Sequence, residues 1–136
     1  MGNDNFDVSF SGLKTAVKLA VERMPQPLSD TTIRDVAAST EKAVVTALID
    51  RIGLALDKHP SKAIAIAGGC ACNTLLRREA ERLGKERGIP ALFPSPILCR
   101  DNGAMIAYAG WQTISRGLRT PLTVSAIPNL DAFHAS

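Results

Sequence analysis

The stretch Lys62-Ala63-Ile64-Ala65-Ile66-Ala67-Gly68-Gly69-Cys70-Ala71-Cys72-Asn73-Thr74-Leu75-Leu76 decides how this chain folds, because strand, turn and helix start follow one another without a break. Ala63 to Ala67 is a short apolar run of the kind that forms a strand covered on both faces in a parallel sheet. Gly68 and Gly69 allow positive φ and the close approach of a ligand. Asn73 suits the N-cap of a following helix, whose free N–H groups and positive dipole end would point at the turn. Such a turn can hold an anion or a nucleotide. The Walker lysine and the GxGxxG spacing are both missing, so neither a P-loop nor a dinucleotide fingerprint is present. A tight turn with an Asn cap and no ligand fits the same residues.

Downstream, the spacing predicts a helix from about Thr74 to Arg87 with Leu76, Ala80 and Leu83 inward and its charges outward, closed by Gly88. Ala91-Leu92-Phe93, between Pro90 and Pro94, reads as a second short strand, which completes a parallel β-α-β unit with the usual right-handed crossover. A further helix over Ala104 to Arg116 is apolar nearly all round, the pattern of a helix buried by more than one neighbour. From Gly117 the pattern fades into an irregular tail.

Upstream, Leu13, Ala16, Val17, Ala20, Val21 and Met24 keep the spacing of one helical face, with Ser11 as N-cap and Pro25 as stop. A longer helix, capped by Ser29 or Asp30, shows Ile33, Val36, Ala37, Thr40, Val44, Ala47, Leu48, Ile52, Ala55 and Leu56 along its apolar face and ends at His59-Pro60-Ser61. Gly53 interrupts it at a cost of roughly 1 kcal/mol against alanine. Met1 to Asp7 is polar and reads as a frayed start or an artificial boundary. Two parallel strands do not form an independently stable sheet, so the chain reads as an α/β piece of a larger domain.

The totals exclude several functions. With 136 residues and 46% hydrophobic content the chain is one ordinary globular unit, and a net charge of +3 with interleaved signs permits a nucleic-acid partner without requiring one. At 4% aromatic residues it lacks the stacking platforms of sheet-face RNA readers. Three cysteines without CxxC spacing support neither a disulfide framework nor a zinc site, and a reducing compartment follows. No apolar run approaches the ~20 residues of a membrane span and no signal peptide is visible, so a soluble, cytoplasmic protein is expected.

Asp101 can cap the helix behind it or offer one carboxylate to a divalent metal, and one carboxylate is not a site. His59 and His134 are isolated, Cys70 and Cys72 suit small-residue packing, and Cys99 suits the core. Arg78, Arg82 and Lys85 share a helical face that could touch phosphates, but Glu79, Glu81 and Glu86 dilute it into a solvated surface. No nucleophile triad or carboxylate pair stands out, so no catalytic residue is assigned.

Three segments read together go further. Val8-Ser9-Phe10-Ser11-Gly12-Leu13-Lys14-Thr15, Ile66-Ala67-Gly68-Gly69-Cys70-Ala71-Cys72-Asn73-Thr74-Leu75 and Cys99-Arg100-Asp101-Asn102-Gly103-Ala104-Met105-Ile106-Ala107-Tyr108-Ala109-Gly110 closely resemble the TsaD family of tRNA N6-adenosine threonylcarbamoyltransferases, once labelled O-sialoglycoprotein endopeptidases. The resemblance implies the actin-like, Hsp70-like (ribonuclease H-like) ATPase fold and places residues 8–136 in part of its C-terminal lobe. It implies transfer of a threonylcarbamoyl group from threonylcarbamoyl-AMP to N6 of adenosine 37 in tRNA, with companion proteins. By motif match Asn73 would contact the nucleotide, Gly68 and Gly69 would form its turn, and Asp101 would ligate an iron or zinc ion. The two histidine ligands of the family, four residues apart in its N-terminal half, are absent here. Cys70 and Cys72 replace small or aliphatic residues, and Arg100 replaces a small polar one.

The expectation is therefore a C-terminal fragment that is inactive alone and does not retain the metal. Other readings are a silent nucleotide-binding or partner-docking module, and a different actin-like phosphotransferase such as a sugar kinase. The peptidase label finds no general base or complete metal set. An open sheet edge would invite pairing with a second copy.

Overall fold

The computed structural model describes residues 6–123, and the chain divides into two compact units, Met1–Arg100 and Asp101–Ser136. In the first unit α1 (Ser11–Glu22) and α2 (Asp30–Lys58) precede β1 (Ile64–Ala65), α3 (Thr74–Arg87) and β2 (Ala91–Leu92). Two 3-10 turns, Gly69–Cys72 and Pro96–Leu98, follow the strands. In the second unit α4 spans Gly103–Ser115.

The strands pair in parallel, with Ile64 opposite Ala91 and Ala65 opposite Leu92, so the expected β-α-β unit is present. Ile64 N–H donates to the Pro90 carbonyl at 2.9 Å and Ile66 N–H to the Leu92 carbonyl at 3.0 Å. The strands are shorter than the apolar runs that announce them. Ile64 is buried while Ala65 is exposed, so β1 is covered on one face and not on both as expected. The helices α2 and α3 cover that face, and no second layer lies on the other among the described residues of the first unit.

The core joins Val45 and Ile49 of α2 to Ile64 of β1 and to Leu76, Ala80 and Leu83 of α3. The three α3 positions are those the periodicity predicts. For α2 the expected face omits its two most buried residues, because the second half of the helix carries apolar side chains around most of its circumference. Where α3 lands then selects Val45 and Ile49, one helical turn apart. Ile33, at the start of the expected face, is half exposed.

Local signals fix most helix ends. The Ser29 hydroxyl accepts the Thr32 N–H at 3.1 Å and caps α2. Gly88 closes α3 in the left-handed region at φ 67°, with its N–H on the carbonyls of Gly84 and Lys85. Ser11, by contrast, is the first residue of α1 and not its cap; Phe10 holds that position without a side-chain hydrogen bond. No residue of α1 is buried, although Leu13, Val17, Ala20 and Met24 line a groove of about 430 Å³ against α2.

The ends of α2 and α3 are joined by an ion pair between Asp57 and Arg87. The hydrogen bond from Arg87 lowers the Asp57 pKa below its ordinary 3.8, against partial desolvation and with help from the guanidinium charge. A carboxylate with a depressed folded pKa stabilises above its unfolded pKa and loses that contribution as pH falls through the folded value. The thermal midpoints of wild type and Asp57→Asn should therefore differ above about pH 4 and converge in stronger acid, as calorimetry across that range would show.

The second unit departs from expectation. No residue of α4 is buried, and Trp111 is 60% exposed, so the apolar girdle of this helix has no covering layer among the described residues of its own unit. Gly117, at φ 75°, ends the helix with its N–H on the Ile114 carbonyl at 2.9 Å. Most of the expected irregular tail, including His134, lies outside the described residues, as do residues 1–5 of the expected frayed start. Phe6 within that start packs edge-on against the exposed His59 ring, centroids 5.7 Å apart.

Candidate nucleotide site

After β1 the chain reaches Gly68 at φ 81°, a conformation that side chains other than glycine rarely adopt. Gly69 needs no unusual φ; a Cβ there would meet nothing within 4 Å, so the residue leaves open space where a ligand could approach. A 3-10 turn, not foreseen from the sequence, then carries the chain to Asn73. Its Ala71 N–H donates to the Gly68 carbonyl at 3.0 Å and the Asn73 N–H to the Cys70 carbonyl at 3.0 Å.

Asn73 uses both ends of its amide. The carbonyl oxygen accepts the Leu76 N–H at 2.8 Å, the expected N-cap of α3. The Nδ2 group donates to Oε1 of Glu41, on α2, at 2.7 Å. Glu41, Thr40, Val44, Gly69, Cys70 and Asn73 are among the residues lining a cavity of about 490 Å³. The cavity is apolar toward Val44, Val45 and Leu48 and polar where the Glu41 carboxylate and the Asn73 amide meet. A carboxylate beside an amide can receive hydroxyl groups and present a donor, which suits a sugar hydroxyl or a nucleobase edge. Nothing in the sequence singles out Glu41, which is one charge among several on its helix and reaches the site only through tertiary packing.

The back of the turn is fastened by Arg77. Its Nε donates to the Ala71 carbonyl, its Nη2 donates to the Pro94 carbonyl at 2.9 Å, and its guanidinium stacks over the Phe93 ring at 4.8 Å. Cys99 is buried as expected, whereas Cys70 and Cys72 are exposed rather than packed, because the 3-10 turn lifts them onto the surface.

The cationic face of α3 is internally neutralised. Arg82 contacts Glu79 at 2.9 Å and Glu86 at 2.6 Å, and Arg78 adds a contact to Glu79 at 3.3 Å. The hydrogen bond from Arg82 leads in lowering the Glu79 pKa, so these charges answer one another. That is the solvated face the sequence implies.

Gly68, Gly69 and Asn73 thus meet in one turn, with Glu41 joining them. Asp101 opens the second unit. It does not cap α4: Asn102 does, accepting the Met105 N–H at 3.1 Å on its Oδ1 atom. Two adjacent Asx residues compete for that place, and the one immediately before the first helical residue has the reach. The Asp101 carboxylate is exposed, with no hydrogen-bond or ion-pair partner among the described residues. Asp101→Ala should therefore leave the thermal midpoint nearly unchanged, within about 0.5 kcal/mol, whereas Asn102→Ala should cost about 1 kcal/mol through the lost cap. Thermal unfolding of the two variants side by side checks this.

Among the described residues no three His, Cys, Asp or Glu side chains come together as a metal site, and no helix is long and apolar enough to cross a membrane.

Comparison with known proteins bears on the chain as a whole. One family profile, described as TsaD, tRNA N6-adenosine threonylcarbamoyltransferase, matches residues 1–108. A protein of that name from Methylocapsa acidiphila is 46% identical over 131 residues, covering 93% of this chain and 37% of the relative. One from Clostridium novyi is 44% identical over 127 residues, covering 93% and 37%, and one from Desulfovibrio desulfuricans is 41% identical over 140 residues, covering 94% and 39%. The chain thus spans less than half the length of these relatives. A parallel β-α-β unit within a helix-rich α/β chain, a glycine turn ending on an Asn cap, and a profile match through Tyr108 lead to one assignment: the chain belongs to the TsaD family, with its actin-like, ribonuclease H-like fold.

Proposed function

We propose that this chain is the C-terminal part of a tRNA N6-adenosine threonylcarbamoyltransferase and supplies one wall of its adenylate site. The observation that carries the reading is the Gly69-to-Asn73 turn, which opens on a cavity of about 490 Å³ in a chain of this family. In this reading Gly68 shapes the turn, Gly69 keeps it open, and Asn73 presents its amide to the nucleotide portion of threonylcarbamoyl-AMP. Glu41 holds that amide in orientation. The acceptor would be N6 of adenosine 37 in tRNA, with companion proteins assisting.

Asp101 is proposed as one ligand of an iron or zinc ion. Its exposed carboxylate is open to such a role, but the described residues do not form a metal centre by themselves. The remaining ligands would be the histidine pair that the family resemblance implies, from outside this chain. No residue here is assigned as general acid, base or nucleophile.

The reading is tested by titrating the chain with AMP and with threonylcarbamoyl-AMP in a calorimeter, then adding tRNA and following modification. Saturable binding that weakens in Asn73→Ala, without turnover, is the expected result. Absence of binding to either nucleotide would remove the adenylate wall, and efficient tRNA modification by this chain alone would overturn its dependence on further residues. Binding without turnover even when the missing lobe is supplied would favour the second reading, a silent nucleotide-binding module.

A further inference from the structure

Cys72 ends the 3-10 turn after β1, and Cys99 follows the 3-10 turn after β2. Their sulfurs sit against successive carbonyls of one tripeptide. Cys72 Sγ lies 3.8 Å from the Pro96 oxygen, while Cys99 Sγ lies 3.4 Å from the Ser95 oxygen and 3.7 Å from the Pro94 oxygen. This convergence gathers the two thiols on neighbouring carbonyls of one short segment. Their surroundings differ: Cys72 is exposed, whereas Cys99 is 2% exposed and has the Arg77 Nη2 at 3.8 Å from its sulfur. Cys70, the third thiol, faces the cavity at Gly69 and Asn73.

One open thiol with a buried thiol beside it is the arrangement in which the first is oxidised and the second resolves the product. Burial shields Cys99 until its neighbour has reacted. We propose that Cys72 and Cys99 form a reversible intrachain disulfide when the chain meets a peroxide.

In the first step the Cys72 thiolate attacks one oxygen of hydrogen peroxide. An S–O bond forms, the O–O bond breaks, and hydroxide leaves and takes up the proton the thiol had released. Cys72 is then a sulfenic acid. In the second step the Cys99 sulfur attacks the Cys72 sulfur, the S–S bond forms, the S–O bond breaks, and water leaves with the Cys99 proton. The two thiols are oxidised and the peroxide is reduced to two waters. The bond would tie the turn after β1 covalently to the exit of β2, and thiol reductants would reopen it. This inference stands apart from the adenylate reading, since it needs no nucleotide.

The test is peptide mapping of the whole chain after limiting hydrogen peroxide, alkylation under denaturing conditions and non-reducing trypsin digestion. Cleavage after Lys62, Arg77, Arg87 and Arg100 separates a peptide holding Cys70 and Cys72 from one holding Cys99. The expected product is a cross-link of these two peptides with Cys70 alkylated, abolished by reductant, retained in Cys70→Ser and lost in Cys72→Ser. Cys72 is exposed, so its serine variant should keep the wild-type circular dichroism. A Cys70–Cys72 bridge, covalent dimers, oxidation that stops at Cys72, or a cross-link as abundant in Cys72→Ser as in wild type would each overturn the proposal.

Discussion

Gly84→Ala should destabilise the first unit by about 2 kcal/mol, although alanine is the better helix former. A Cβ at this position would stand 2.7 Å from the Ile89 carbonyl oxygen and 3.4 Å from the Ala91 nitrogen. Both obstacles are backbone and neither can retreat freely. Ile89 N–H is bonded to the Gly84 carbonyl at 2.9 Å, and the next residue, Pro90, accepts the Ile64 N–H that opens the strand pairing. Relief of the clash would therefore pull α3 away from β2 or break the first rung of the sheet. Gly53→Ala is the internal control. It makes the same chemical change within a helix, but its Cβ would meet nothing within 4 Å. There the helix preference acts alone and should stabilise by up to about 1 kcal/mol. The two variants should move the thermal midpoint in opposite directions by several degrees, at roughly 4–8 °C per kcal/mol for a domain of this size. If both raise it, α3 does not approach β2 as closely as described.

At Asn73 the expected result is a separation of folding from binding. Asn73→Ala loses the cap of α3, about 1 kcal/mol, together with the donor to Glu41. Asn73→Asp keeps an acceptor for the Leu76 N–H, and aspartate caps as well as asparagine. It removes the amide donor, however, and sets a second carboxylate against Glu41 where the amide now makes a 2.7 Å hydrogen bond. The aspartate variant should keep most of the helical signal yet bind threonylcarbamoyl-AMP at least tenfold more weakly, the affinity equivalent of about 1.4 kcal/mol. Adjacent carboxylates disfavour each other's ionisation, so the binding defect should shrink in mild acid. An aspartate variant that binds as tightly as wild type would remove the Asn73 amide from the site.

The parts of this fold that were legible in the sequence are those in which neighbouring residues settle the matter. The helix α3 begins and ends where Asn73 and Gly88 predict, because a side-chain cap and a left-handed glycine are local devices. The parallel pairing of β1 and β2 was equally readable, but the length of each strand was not, since an apolar run does not state how much of it finds a partner. The buried face of α2 was misjudged because Val44, Val45, Leu48 and Ile49 follow one another too closely for periodicity to choose among them. The surroundings of α4 were misjudged because an apolar girdle shows what a helix could bury and not what covers it. Within the site, the glycine turn and the Asn73 cap were readable as local structure. Glu41 and Arg77 were not, since one reaches the turn from another helix and the other from behind.

The Arg77 fastening has a consequence for the order in which the chain opens. Its guanidinium holds the Ala71 carbonyl on one side and the Pro94 carbonyl on the other, while α1 and α4 bury no residue at all. In native-state hydrogen exchange the amides of Ala71, Asn73 and Ile66 should share one opening free energy, because releasing the turn means releasing the exit of β2 as well. The amides of α1 and α4 should exchange through smaller, independent openings. Arg77→Lys keeps the charge but gives up the planar fork, and should split the shared protection so that the turn opens before the strands part.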